Sequence, residues 1–258
     1  MLFDSHIHCD YSQDSSMTLV EALQTAAKEQ VGIIVTEHWD YDYPTNPYAF
    51  LFDLDDYFRK FSAYRSEQVL LGIEIGMQKH IVQKDEALIK AHPFDCVIAS
   101  MHCVKGRDLY EPRSYKGLTK AEAVKAFLEE SVATVSLYSD FDVFGHIDYV
   151  SRYMPYEDQE LYYEEFPELW DELFKALLEK SKVLEINTRR LDSPKALAAM
   201  EILYGRYREL GGLHVSLGSD AHYKEHVGRR FAAAKQIADK LGLLPVYFKE
   251  RKMIISKG

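Results

Sequence analysis

The chain of 258 residues is predicted to fold as an α/β barrel of about seven parallel strands wrapped by helices. Three observations carry this expectation. Short, β-branched apolar runs alternate with amphipathic stretches from one end of the chain to the other, which is how strand and helix units of a parallel sheet read. No Pro-, Gly- or Ser-rich linker and no shift of composition divides the alternation, so residues 1–258 are expected to form a single domain, close to the ~200–250 residues common for such barrels. The polar residues that interrupt the pattern gather where apolar runs end, and in barrels of this kind those ends share one rim. An open doubly wound sheet is the competing architecture, but it usually carries a glycine-rich phosphate turn after the first strand. None is present here.

Taken in order, the opening run from Phe3 ends in His6-Ile7-His8 and reads as a strand whose two histidines share one face while Ile7 turns into packing. Thr18 to Glu21 has the capping-box pattern and starts a helix through about residue 30. Gly32 to Thr36 is the second strand, ending in Glu37-His38, and a Tyr- and Pro-rich loop (41–48) leads to a periodic helix carrying Leu54, Tyr57, Phe58, Phe61 and Tyr64. The third strand, 69–76, holds one carboxylate, Glu74, in an apolar run, and a helix over 80–92 stops before Pro93. The fourth strand, 94–101, ends in His102. A loop through Arg107, Arg113 and Lys116 precedes a second capping box, Thr119 to Glu122, and a helix to about residue 138. The fifth strand, 143–148, contains His146 and Asp148. A stretch rich in Tyr and Glu (153–170) runs into a helix to about 180, and 183–187 is the sixth strand. A helix over about 193–210 separates it from the seventh, 214–222, which exits through Asp220-Ala221-His222. A last helix (about 225–241) and a short apolar tail close the chain.

A hydrophobic share of 47% supplies a full core, and a formal net charge of −10 disfavours a nucleic-acid partner, because affinity for phosphate backbones comes from clustered Lys and Arg. The charge does not exclude a small anionic substrate, since bound cations and one or two arginines invert a local field. Cys9, Cys96 and Cys103 make no even-numbered disulfide framework. With no signal peptide and no transmembrane run, a cytoplasmic protein without a membrane partner is expected.

The strand ends hold the chemistry: His6, His8 and Asp14; Glu37 and His38; Glu74; His102; His146 and Asp148; Asn187; Asp220 and His222. Six of the ten histidines fall there, whereas an even scatter would put most of them on helices and loops. Single residues have bland readings, His102 and His146 as satisfied core histidines and Glu74 as a buried carboxylate bonded to backbone. As a set they point to metal ligation, because an unpaired buried carboxylate is costly and converging neutral imidazoles suit a divalent transition metal. Strand alternation turns Cys9 and Cys103 to the opposite side, as buried inert thiols, and turns Glu37 away from His38. Asp53-Leu54-Asp55 has the outline of an aspartyl-phosphate nucleophile but precedes a helix and lacks the following Thr.

The ordered motifs Asp4-Ser5-His6-Ile7-His8, Thr36-Glu37-His38, Gly72-Ile73-Glu74, Ser100-Met101-His102, Gly145-His146-Ile147-Asp148 and Gly218-Ser219-Asp220-Ala221-His222 resemble those of the polymerase-and-histidinol-phosphatase (PHP) family. The likeness covers nearly the whole chain, and Glu37-His38-Trp39 and the run from Gly145 to Tyr153 are most similar to its bacterial histidinol-phosphate phosphatases. The resemblance implies a distorted, TIM-like (β/α)7 barrel with three divalent metal ions, Zn, Mn or Fe. It assigns one ion to His6, His8, Glu74 and Asp220, a second to Glu74, His102 and His146, and a third to Asp14, His38 and His222. Asp14 stands where many relatives have a histidine. Arg152 matches the arginine that holds substrate phosphate, and either Arg189 or Arg190 fits the second, in a loop shorter than that of relatives.

The expected activity is metal-assisted hydrolysis of a small phosphate monoester, L-histidinol phosphate in histidine biosynthesis. Glu74 would bridge two metals, Arg152 would grip phosphoryl oxygens with its planar fork, and Asp220 or His222 would relay a proton to the leaving oxygen. The aromatic stretches 39–52, beginning at Trp39, and 149–163 are the expected specificity walls, suited to an imidazole and a cationic amine. Ordinary loop packing is the plain alternative for them. Competing activities are phosphoester hydrolysis of a nucleotide or phosphotyrosine, and a C–N hydrolase of the metal-dependent amidohydrolase type, which often uses a bridging lysine. A metal-binding accessory module without activity is the non-enzyme alternative.

Overall fold

The computed structural model describes residues 1–256. In chain order the elements are β1 (Phe3–Ile7), α1 (Leu19–Glu29), β2 (Gly32–Val35), β3 (His38–Trp39), α2 (Leu54–Phe61), β4 (Val69–Leu71), β5 (Ile73–Gly76), α3 (Val82–Ala91), β6 (Val97–Ser100), β7 (Cys103–Val104) and β8 (Arg107–Asp108). They continue with α4 (Lys120–Leu137), β9 (Val143–Phe144), α5 (Pro167–Glu179), β10 (Val183–Asn187), α6 (Pro194–Glu209), β11 (His214–Gly218), α7 (Phe231–Leu241), β12 (Leu244–Lys249) and β13 (Lys252–Ile255). Among the described residues no helix is long and apolar enough to cross a membrane.

Local sequence explains the boundaries. Thr18 and Thr119 each accept from the backbone N–H three residues on, and Glu21 and Glu122 return the bond to the cap, so both expected capping boxes form. Asp53, far from acting as a nucleophile, caps α2 by accepting from Asp56 N, and Ser193 caps α6 ahead of Pro194. Gly242, at φ +64°, ends α7 in the left-handed conformation that glycine adopts freely.

Around the barrel the order is β1, β2 with β3, β4 with β5, β6, β9, β10 and β11, all in parallel. The second and third strands are each interrupted, yet they keep one register, with Ile33 opposite Val69 and His38 opposite Glu74. The ring closes where Asp220 N donates to His6 O and His8 N to Ala221 O, both at 2.8 Å. Asp4 reinforces that seam by accepting from Ser219 N and Gly228 N at 2.8 Å.

The distortion comes from the C-terminal end. The apolar tail is not a loose end but a hairpin, β12 and β13, and β12 pairs in parallel with the start of β11. It occupies the lower half of the seam that β1 closes above, and Tyr247 stacks on Phe3 with ring centroids 3.9 Å apart. Its inward Val246 and Phe248 join Phe3, Ile34, Leu70, Cys96, Ile98, Val143 and Val183 in an apolar plug that fills the barrel floor. A second hairpin, β7 and β8, replaces the start of the expected loop through Arg107. Its two-residue turn, Lys105 at φ +50° and Gly106 at φ +72°, matches the strand twist.

Between α3 and the end of α4, Asp85 is fully buried and accepts from the Tyr138 hydroxyl at 2.5 Å. Burial pushes its carboxyl up to about 7, against the pull of that hydroxyl. A carboxyl whose folded pKa exceeds its unfolded value binds its proton more tightly when folded, so its contribution to stability falls as pH rises from about 4 to about 7. Asp85→Asn keeps an acceptor for Tyr138 without the charge. Thermal melts of the two proteins should therefore diverge in the variant's favour between roughly pH 4 and pH 7, by a few kcal/mol, and run in parallel above that. A gap that does not change with pH contradicts this account of Asp85.

Candidate active site

Side chains two apart on a strand face the same way, and each barrel strand uses this to climb from the apolar floor to a polar rim. Ile34, Thr36 and His38 form one such ladder; Leu70, Gly72 and Glu74 another; Ile98, Ser100 and His102 a third. Glu74 is the hub. Its Oε1 lies 3.3 Å from His6 Nε2, 3.3 Å from His102 Nε2 and 2.8 Å from His146 Nε2. Its Oε2 lies 3.4 Å from His8 Nε2 and 2.8 Å from His38 Nδ1. Ser100 Oγ donates to Oε1 at 2.6 Å. The carboxylate and its five imidazoles are all buried.

The exit of β11 supplies the second acid. Asp220 adopts a left-handed φ of +54°, uncommon outside glycine but tolerated by Asp, and this turn carries its carboxylate back over the rim. Oδ1 then sits 3.4 Å from His8 Nε2 and 3.8 Å from His6 Nε2. Asp14 lies at the mouth, its Oδ2 3.5 Å from His38 Nε2 and 3.2 Å from His222 Nε2.

The donor set fits divalent cations. His6 Nε2, His8 Nε2, His102 Nε2 and Glu74 Oε2 are buried without a hydrogen-bond partner, an expensive state for four converging polar atoms. Three groups offer ligand atoms within 4.8 Å of one another: His6, His8 and Glu74; His38, Glu74 and His102; His8, His38 and His222. Mixed imidazole and carboxylate donors suit Zn, Mn or Fe.

Electrostatics follows from the packing. Burial raises the Glu74 carboxyl, but the charges of His6, His38 and His102 outweigh it and hold the group well below the carboxylate range. Burial likewise opposes ionisation of His102, yet Asp40 and Glu74 push it up to about 10. His8 goes the other way, lowered by burial and by neighbouring His38 and His222. His146 is lowered mainly by burial.

Beside the cluster opens a cavity of about 410 Å³ lined by Asp14, His38, His102, His146, Arg152, Arg189, Asp220 and His222, with Tyr43, Phe50, Asp108, Glu111, Tyr149 and Tyr153 among the remaining wall. A turn of 3-10 helix (Tyr149–Arg152) after the fifth strand brings in Arg152. Its Nη1 pairs with Asp220, its guanidinium lies over the Tyr149 ring at 5.4 Å, and Nε and Nη2 are buried without partners. Arg189, partly exposed, reaches to 3.6 Å from Asp220.

Two expected substrate contacts lie elsewhere. Trp39 follows His38 on the two-residue strand β3, so alternation turns it out of the cavity into the core, edge-on to Tyr41 and Phe52. Arg190 points away from the cavity too, donating to both oxygens of Glu160 at 2.8 Å with Asp148 at 3.6 Å. Asn187 explains the split, since its Oδ1 accepts from Arg189 N at 3.0 Å and shapes the turn. Glu37 turns from His38 as alternation requires, and accepts from Cys9 N and Ser12 N at 3.0 Å.

Residues that sequence reasoning passed over complete the site. Glu185 Oε1 accepts from His6 Nδ1 at 2.7 Å, and Asp40 Oδ1 from His102 Nδ1 at 2.7 Å. Ser12 Oγ, itself donating to Glu37 at 2.6 Å, lies 3.1 Å from His8 Nδ1. Glu185 carried the same signal as Glu74, a lone carboxylate in an apolar strand. Asp40 and Ser12, on irregular backbone, carried none.

Comparison with known proteins agrees with this architecture. The PHP domain model matches residues 4–189. The chain is 41% identical over 253 residues to a probable histidinol-phosphatase of Clostridium acetobutylicum, covering 98% of this chain and 99% of that relative. It is 30% identical over 249 residues to the histidinol-phosphatase of Lactococcus lactis, covering 93% and 91%. The crystal structure of histidinol phosphate phosphatase from that organism, complexed with zinc, L-histidinol and phosphate, superposes with a TM-score of 0.92 over 99% of both chains at 30% identity. The family model and the solved structure match this fold over most of the chain, and the chain belongs to the PHP family.

Proposed function

We propose that the chain is a metal-dependent histidinol-phosphatase, hydrolysing L-histidinol phosphate to L-histidinol and phosphate as one domain over residues 1–258, in the cytoplasm. One observation carries the reading: a buried arginine with unpartnered donors lines the same cavity as His38, His102 and His146, three of the five imidazoles that ring a buried carboxylate. Three divalent ions, zinc being the one held by the Lactococcus lactis enzyme, would be taken by His6, His8, Glu74 and Asp220; by Glu74, His102 and His146; and by Asp14, His38 and His222. When bound, such cations acidify water and neutralise charge on a reacting phosphoryl group.

The chain's own groups do the rest. Arg152 offers its free donors to the phosphoryl oxygens, and its fixed fork holds phosphorus in one orientation. Arg189, at the cavity edge, adds a second positive charge. Asp220 and His222, next to each other at the mouth, stand as candidates to pass a proton to the departing alkoxide. Tyr43, Tyr149 and Tyr153 present faces to the imidazole, and Asp108 and Glu111 oppose the ammonium group. The amidohydrolase alternative has no foothold, since among the described residues no lysine lines the cavity and Glu74 takes the central place.

Phosphate release tests the activity. L-histidinol phosphate should be turned over in preference to nucleotides, sugar phosphates and tyrosine phosphate; chelation should abolish release, and added Zn or Mn should restore it. Equal turnover across the panel would retain the phosphatase and discard the substrate, and no release from any phosphoester would discard both.

The two arginine environments give a sharper contrast. Arg152→Ala should lower kcat/KM by about tenfold to a hundredfold, the cost of a charged hydrogen bond, with metal content unchanged. Arg190→Ala should leave KM for the phosphate ester near that of the parent enzyme. The reverse ranking would reassign the phosphate grip.

A further inference from the structure

Two buried carboxylates outside the ring around Glu74 share one arrangement. Glu185, midway along β10, and Asp40, just past β3, are respectively 0% and 2% exposed. Each places a single oxygen 2.7 Å from the Nδ1 of one imidazole, Glu185 Oε1 on His6 and Asp40 Oδ1 on His102. An ionised carboxylate only accepts hydrogen bonds, so Nδ1 of each ring carries a proton and Nε2 is the atom turned toward Glu74. Both of those Nε2 atoms are buried without a hydrogen-bond partner, each 3.3 Å from Glu74 Oε1.

The neighbouring backbone is cut to fit. A Cβ on Gly218 would meet Glu185 Oε1 first, and a Cβ on Gly76 would meet Asp40 Oδ1 first, in both cases at distances no side chain tolerates. In each pair the oxygen that takes the imidazole proton is the oxygen lying over the glycine. Neither glycine has a positive φ, so conformational freedom does not explain it. Space for the carboxylate does. Glu185 is further fixed through Oε2, which accepts from His146 N at 2.6 Å and Asn187 Nδ2 at 3.1 Å.

We propose that Glu185 with Gly218, and Asp40 with Gly76, are positioning pairs that lock the tautomer and direction of His6 and His102 and thereby set the affinity of the metal centre. The inference rests on the metal reading above. Carboxylates behind ligand imidazoles raise ligand basicity, and losing one typically costs 10- to 100-fold in metal affinity. Asp40→Asn keeps an acceptor oxygen for His102, whereas Asp40→Ala removes it. Glu185→Gln brings an NH2 against either His6 Nδ1 or the donors that face Oε2.

The test is zinc affinity of the full chain, measured by competition against a chromogenic chelator, alongside circular dichroism of the metal-free proteins. Glu185→Gln and Asp40→Ala should each bind zinc roughly 10- to 100-fold more weakly with parental spectra. Asp40→Asn should fall between Asp40→Ala and the parent, and Gly76→Ala, which alters no ligand, should resemble Asp40→Ala. Activity of the weakened variants should recover in excess zinc. Should a variant fail to fold, histidine-15N spectra of the zinc-loaded parent still decide, because His6 and His102 must both show a protonated Nδ1. Parental zinc affinity in well-folded variants, or a protonated Nε2 on either ring, overturns the proposal. A parent chain that binds no zinc overturns the metal reading and this inference together.

Discussion

Burying a carboxylate at the axis of a barrel costs several kcal/mol unless positive charge accompanies it, and Glu74 is buried to 0% exposure. Much of the upper half of the molecule answers that cost. Five imidazoles reach it, two from β1 and its end, one from β3, and one each from the turns after β6 and β9. Without cations the histidines themselves must carry the balancing protons, which is why His6 is driven well above its ordinary range against the penalty of burial. Cations in place of those protons would neutralise the hub and at the same time give unpartnered nitrogens something to bind.

The barrel makes such convergence possible because its strands share one period. Apolar residues fill the floor; two residues higher along the same faces stand Thr36, Ser100 and Glu185, and Glu74 stands four above Leu70. Where a neighbour needs room, the ladder drops to glycine, as at Gly76 and Gly218. The C-terminal hairpin belongs to the same logic. By filling the lower seam between β11 and β1 it lets the upper seam close at His6 and Asp220, two residues of the site.

The seven-strand order was legible because strand ends and helix caps are local signals: Thr18 with Glu21 and Thr119 with Glu122 announce themselves in four residues each. The strand-end histidines and Glu74 were legible because polar residues in apolar runs are costly and therefore informative. Trp39 misled because its aromatic neighbours suggested a wall, while the two-residue period of β3 had already assigned it to the core once His38 faced the axis. Arg189 and Arg190 were inseparable in sequence, since their fates depend on Glu160 and Asp148, far along the chain. Asp40 was invisible for the same reason, since its partner His102 reaches it only in three dimensions, whereas Ser12 lies four residues from His8 but on irregular backbone that no periodic pattern marks.

The most direct measurement is anomalous diffraction from crystals of the zinc-loaded protein, with data collected on both sides of the zinc absorption edge. Peaks are expected beside Glu74, within about 2.0–2.2 Å of its oxygens and of the imidazole nitrogens that surround it. A map with no peak in contact with Glu74, or with zinc bound only at surface carboxylates, would contradict the claim that this buried charge is the seat of a metal centre.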